Sequence, residues 1–63
     1  MDRHTAETIL NKQVKIVTRN NLHFTGRVLD VLENSLIILD KYGERVTLNF
    51  EIIMICSEAS NGY

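Results

Sequence analysis

Apolar residues recur at every second position along much of this chain, the period of a half-buried β-strand. From Gln13 to Arg19, Val14, Ile16 and Thr18 alternate with Lys15, Val17 and Arg19, which predicts a strand with one apolar face and one mostly polar face. Asn20-Asn21 follows as a tight turn, since asparagine tolerates positive φ better than most residues. In the next strand Phe24, Gly26 and Val28 share one face and His23, Thr25 and Arg27 the other, and the glycine marks a bend or a close backbone approach. The alternation breaks beyond Asp30. After the loop Glu33-Asn34-Ser35, the apolar run Leu36 to Leu39 predicts a strand covered on both faces. Asp40-Lys41-Tyr42-Gly43 reads as a type I turn with Gly43 left-handed. A fourth strand, Arg45 to Phe50, sets Val46, Leu48 and Phe50 against Thr47 and Asn49.

The fifth strand, Ile52 to Cys56, is apolar on both faces. A terminal strand needs a solvated face and a protected edge. The pattern therefore predicts cover from another subunit, with the N-terminal helix as the alternative cover. That helix is placed at about Ala6 to Asn11, capped by Thr5, with Glu7 in its first turn and Ile9 and Leu10 as its apolar contacts. Ser57 to Tyr63 is polar and small and reads as a frayed tail. The predicted fold is mainly β: a short N-terminal helix followed by a strongly bent five-stranded antiparallel barrel.

A chain of 63 residues allows one domain, 1–63, with the helix at about 6–11, the barrel at about 13–56 and the tail at 57–63. Such a chain buries only about 60% of the surface its unfolded form exposes, so oligomerisation is the expected help. Seven Lys and Arg against eight Asp and Glu leave a net charge of −1, which gives no long-range attraction for nucleic acid or an anionic membrane. Cys56 is the single cysteine and reads as a small buried hydrophobe; with His4 and His23 it has neither the number nor the spacing of a metal site. The histidines are placed on the surface. No cofactor, membrane association or small-molecule substrate is predicted, and a cytoplasmic location is. No paired carboxylates, activated nucleophile or phosphate-cradling loop can be assembled, so the chain does not read as an enzyme.

Phe24-x-Gly26-x-Val28 followed by Val31, the apolar strands after it and Leu48-Asn49-Phe50-Glu51-Ile52 give the chain a resemblance to the Sm-like family, the LSm proteins and bacterial Hfq, over residues 5–56. The resemblance implies an Sm-like (SH3-like) barrel and a ring of six or seven subunits, made by pairing the fourth strand of one with the fifth of the next. It also implies binding of short single-stranded RNA, uridine- or adenine-rich, at the pore or on a face, as an RNA chaperone or scaffold. The alternative is an oligomeric protein-interaction scaffold of the same fold without RNA binding. A monomeric SH3-like barrel shares the strand pattern.

Two sets of candidate RNA-binding residues follow. At the pore, Asn34 matches the loop asparagine that LSm proteins use for uridine, with Asp30 or Leu32 where they have an aspartate. Asn49 and Phe50 stand where the second signature has Arg-Gly or Lys-His. Phe50 can stack on a base and Asn49 can bond its edge, though Phe50 also fits the buried side of its strand. On the hairpin, Lys15, Arg19, His23 and Arg27 form a basic stripe, with Asn20 and Asn21 at its tip and Thr25 and Leu22 lining it, where Hfq-like rings bind purine-rich RNA. The alternative is an ordinary solvated strand face. Lys12 stands alone where Hfq has a basic rim. Lys41 and Arg45 read as turn solubility, and Tyr42 as a stacking platform or an exposed turn residue.

Overall fold

The structure, a computed structural model that describes residues 1–59, grows outward from one hairpin. Strands β1 (Gln13–Thr18) and β2 (His23–Val31) pair antiparallel, with Val14 opposite Gly26 and Ile16 opposite Phe24. Their turn is asparagine-built as predicted: Asn21 sits at φ 66°. Buried Thr18 locks it, its hydroxyl donating to Asn20 Oδ1 at 2.6 Å and accepting from the Leu22 N–H at 3.1 Å.

Strand β3 (Ser35–Asp40) lies on the other side of β2, with Gly26 opposite Asp40. A Cβ at residue 26 would run into the Leu39 carbonyl, so this glycine answers a close approach of two backbones. The alternation breaks earlier than predicted, at a bulge between Val28 and Asp30 that leaves Leu29 without a partner. Only one face of β3 is buried in the single chain. Leu36 and Ile38 point into the core, whereas Ile37 is half-buried and Leu39 exposed, which corrects the expectation of cover on both faces. The β3–β4 turn forms as predicted. Gly43 adopts φ 84°, and the Asp40 carboxylate accepts from the N–H groups of Tyr42 and Glu44 at 2.8 and 2.9 Å.

Strand β4 (Arg45–Asn49) pairs with β3. A 3-10 turn (Phe50–Ile52) then leads into β5 (Ile53–Glu58), which pairs with β1 rather than β4. Ser57 and Glu58, predicted as tail, belong to this strand, and the Ala59 N–H donates to Gln13 O at 2.9 Å; the rest of the predicted tail lies outside the described residues.

The sheet order is therefore β4-β3-β2-β1-β5, open, with β4 and β5 as its edges. A flat sheet of this width would put those edges about 19 Å apart. Yet three residues join them, and Leu48 of β4 and Ile53 of β5 share one core cluster with Val14, Ile16, Val28, Leu36, Ile38 and Phe50. The sheet is curled around that core without hydrogen bonds closing it between β4 and β5 among the described residues.

The helix α1 (Arg3–Glu7) starts earlier than predicted and is shorter. Its cap is Asp2, whose carboxylate accepts from the Thr5 N–H at 2.7 Å. Glu7 closes the helix and pairs with Arg3 at 3.3 Å. Ala6 is its buried residue and Ile9 packs against the core, whereas Leu10, predicted as a contact, is exposed. Thr5, predicted as the cap, lies inside the helix and donates its N–H to Asp2 instead.

Candidate nucleic-acid interface

The loop after β2 and the 3-10 turn after β4 meet because their backbones are tied. The Leu32 N–H donates to Ser35 O at 2.7 Å, closing the loop, and the Phe50 N–H donates to Asn34 O at 2.9 Å. Ser35 and Asn49 are register partners. Asn49 caps the 3-10 turn, its Oδ1 accepting from the Glu51 N–H at 2.9 Å. The two candidate asparagines, far apart in sequence, thus stand on one cavity of about 520 Å3, whose lining also includes Arg3, Glu33, Phe50 and Glu51.

The hydrogen-bonding character of this cavity follows from those ties. With Oδ1 of Asn49 committed to the cap, its NH2 group remains as donor. The exposed Asn34 amide makes no hydrogen bond among the described residues and offers both a donor and an acceptor. Phe50 is 6% exposed and packs in the core, so its ring supplies an apolar floor rather than a free stacking face. Charge at the rim is mostly negative. Asp2, Glu33 and Glu51 line the cavity against Arg3, which is already engaged by Glu7 at 3.3 Å and by Glu33 at 3.1 Å. Asp30, the aspartate that the resemblance sets beside Asn34, lines a different cavity, and the aspartate on this one is Asp2.

The hairpin residues divide. Lys15 faces Thr25 across the β1–β2 pair, His23 faces Val17 and Arg27 faces Gln13, so Lys15, His23, Thr25 and Arg27 share the outer face of the sheet. Lys15, His23 and Arg27 are exposed and Thr25 is half-buried. Arg19 leaves the stripe: its Nε donates to Glu51 O at 2.6 Å and its N–H to Ile52 O at 2.8 Å, fastening the 3-10 turn to the end of β1. Asn20 and Asn21 are exposed at the tip, where Asn20 also accepts from Thr18. Leu22 beside them is exposed.

Several side chains read only loosely from sequence acquire definite places. Lys12 pairs with Glu58 at 3.8 Å. Tyr42 stands exposed in its turn with Lys41 Nζ 5.3 Å from the ring centroid. Arg45, read as turn solubility, is the residue opposite Leu39, itself opposite Arg27. Only the cross-strand register, which the bulge at Leu29 resets, reveals that row. Cys56 is half-buried on β5, and burial pushes its thiol pKa up, which fits an inert apolar role. His4 and His23 are exposed, as predicted. Among the described residues no cluster of three or more His, Cys, Asp or Glu forms, and no helix is long and apolar enough to cross a membrane. No protein-family model, curated protein or solved structure matches this chain.

Proposed function

We propose that the protein is an Sm-like RNA-binding protein of the cytoplasm that assembles into a homo-oligomeric ring and holds short single-stranded RNA without chemistry. The observation that carries this reading is the meeting of Asn34 and Asn49 on one cavity, where their amides offer the donors and the acceptor that a base edge calls for. Assembly is supported by the two open edges, β4 and β5, joined by a three-residue turn, and by exposed Ile52, Met54 and Ile55 on and beside β5. Edge pairing between copies satisfies the unpaired backbone groups and covers these side chains. Base contacts supply more of the affinity than phosphate contacts, because the cavity's one guanidinium is already paired.

A protein-interaction scaffold of the same fold is the second reading, favoured by the carboxylates of Asp2, Glu33 and Glu51 around the cavity. Native mass spectrometry before and after nuclease treatment, then with uridine-rich or adenine-rich oligonucleotides, separates the two. A six- or seven-fold assembly that takes up RNA supports the first; an assembly that ignores both RNAs supports the scaffold. With the ring intact, Asn34→Ala weakens uridine-rich RNA by about 1 kcal/mol, roughly fivefold in Kd. Unchanged affinity would remove the asparagine cavity from the RNA site.

A further inference from the structure

The outer face of the sheet carries a second arrangement, separate from the asparagine cavity. Register sets Arg27, Leu39 and Arg45 in one row across β2, β3 and β4. The adjacent row, Val28, Ile38 and Val46, packs in or against the core, so alternation turns the two arginines and Leu39 outward. Their Cα atoms span two strand spacings, about 10 Å, with Leu39 between. Beside this row the bulge at Leu29 opens a cavity of about 300 Å3 lined by Leu29, Asp30, Ile37 and Arg45. Both arginines are exposed, and neither enters an ion pair or a side-chain hydrogen bond among the described residues. Asp30, the one carboxylate on the cavity, accepts from the Val31 N–H at 2.9 Å and pairs with neither arginine, so Arg27 and Arg45 together leave this row and its hollow with one excess positive charge.

The geometry points to this face as a docking surface for an acidic peptide segment bearing an aliphatic side chain. The aliphatic group enters the hollow between Leu29 and Ile37. Carboxylates on either side of it receive charge-assisted, bidentate hydrogen bonds from Arg27 and Arg45. Charge complementarity selects an anionic occupant, and the aliphatic hollow between Leu29 and Ile37, which suits a branched side chain rather than a flat base, favours a peptide over single-stranded RNA. Phe24 packs against the core and Tyr42 belongs to the β3–β4 turn. The hollow shares no lining residue with the asparagine cavity, so the surface stands whether or not that cavity holds RNA.

The test is fluorescence anisotropy of the full chain with a labelled, end-capped peptide Glu-Asp-Leu-Glu-Asp-Ile at low ionic strength. Its partner titrations use the same peptide with Leu and Ile replaced by Ser, the double variant R27Q/R45Q, and a labelled adenine-rich oligonucleotide. Binding by the parent peptide that falls on the order of tenfold or more in the double variant, and comparably for the Ser peptide, is the expected result. Circular dichroism confirms that the double variant is folded. Absence of binding, equal binding of the Ser peptide, or equal binding by the double variant each overturns the proposal. So does a double variant that loses only the oligonucleotide, which would make the face a nucleic-acid surface.

Discussion

Strands β3 and β5 come from the same kind of sequence, an uninterrupted apolar run, and end in different circumstances. β3 lies inside the sheet with β2 and β4 bonded to its two edges. Of its outward residues, Leu39 is flanked by Arg27 and Arg45, whose aliphatic stems can shade it, and Ile37 by Asp30 and Thr47. β5 is bonded along one edge only, and the bulge at Met54 turns both Met54 and Ile55 outward, at 63% and 55% exposure. An apolar run thus states that cover is needed and leaves open whether the fold or another molecule supplies it. For β3 the fold buries Leu36 and Ile38 and half-buries Ile37; for β5 it buries Ile53 and leaves Met54 and Ile55 exposed.

The largest effects should come from the interior strand. Gly26→Ala forces a Cβ against the Leu39 carbonyl, where backbone has to move, so β2 and β3 must separate locally at a cost of about 3 kcal/mol or more. Ile38→Ala, at a fully buried position, costs about 3 kcal/mol by loss of contacts and the cavity left behind. Against the roughly 3 to 9 kcal/mol that a domain of this length holds in total, either change should lower the urea midpoint by about a third or abolish the transition altogether. A near-normal midpoint for Ile38→Ala would break the comparison by showing that β3 contributes no more than an edge.

At β5 the expected result is reversed in kind. Replacing Met54 and Ile55 together by Ser removes little buried packing and should change monomer stability by no more than about 1 kcal/mol. Its effect belongs to assembly, so sedimentation velocity should find the variant at a lower oligomeric state than the parent. A parent that is already monomeric at all concentrations would show that these apolar side chains are tolerated in water, and the contrast with β3 would then be one of degree.

Those two outcomes also mark how far the sequence can be read. Strand positions, both turns and the inward-facing set Val14, Ile16, Val28 and Leu48 follow from period-two alternation, because each is fixed by neighbours within a few residues. What was not legible depends on register across strands. The bulge at Leu29 shifts β3 against β2, and the row through Arg27, Leu39 and Arg45 exists only after that shift. The same holds for the candidate cavity. The resemblance already places Asn34 and Asn49 together at the pore, but the tie from Phe50 N–H to Asn34 O that joins their loops, and the commitment of Arg3 to Glu7 and Glu33, are tertiary facts. Helix α1 was misplaced because its length gives propensity little weight, and burial of Ala6 decided its register.

The smallest predicted effect asks whether that helix has any part in covering β5. The Thr5 N–H, donating to the Asp2 carboxylate, holds its pKa below the ordinary 3.8, with the Thr5 hydroxyl and His4 acting in the same direction. A carboxylate with a depressed folded pKa contributes stability that is present above its unfolded value and is lost as pH falls through the folded one. The window for Asp2 therefore lies below about pH 4. Asp2→Asn keeps an oxygen to accept from Thr5 while removing the titration, so the part of the acid-induced loss that belongs to this cap should disappear; Asp2→Ala should lower the melting temperature slightly at neutral pH. Ala6 puts the helix against the core and β2, and Ile55 remains exposed in its presence. Neither variant should then alter the oligomeric state read by sedimentation. If Asp2→Ala changes assembly as much as the Met54 and Ile55 replacement does, the helix is part of the β5 interface, and the uncovered strand owes its cover to two elements instead of one.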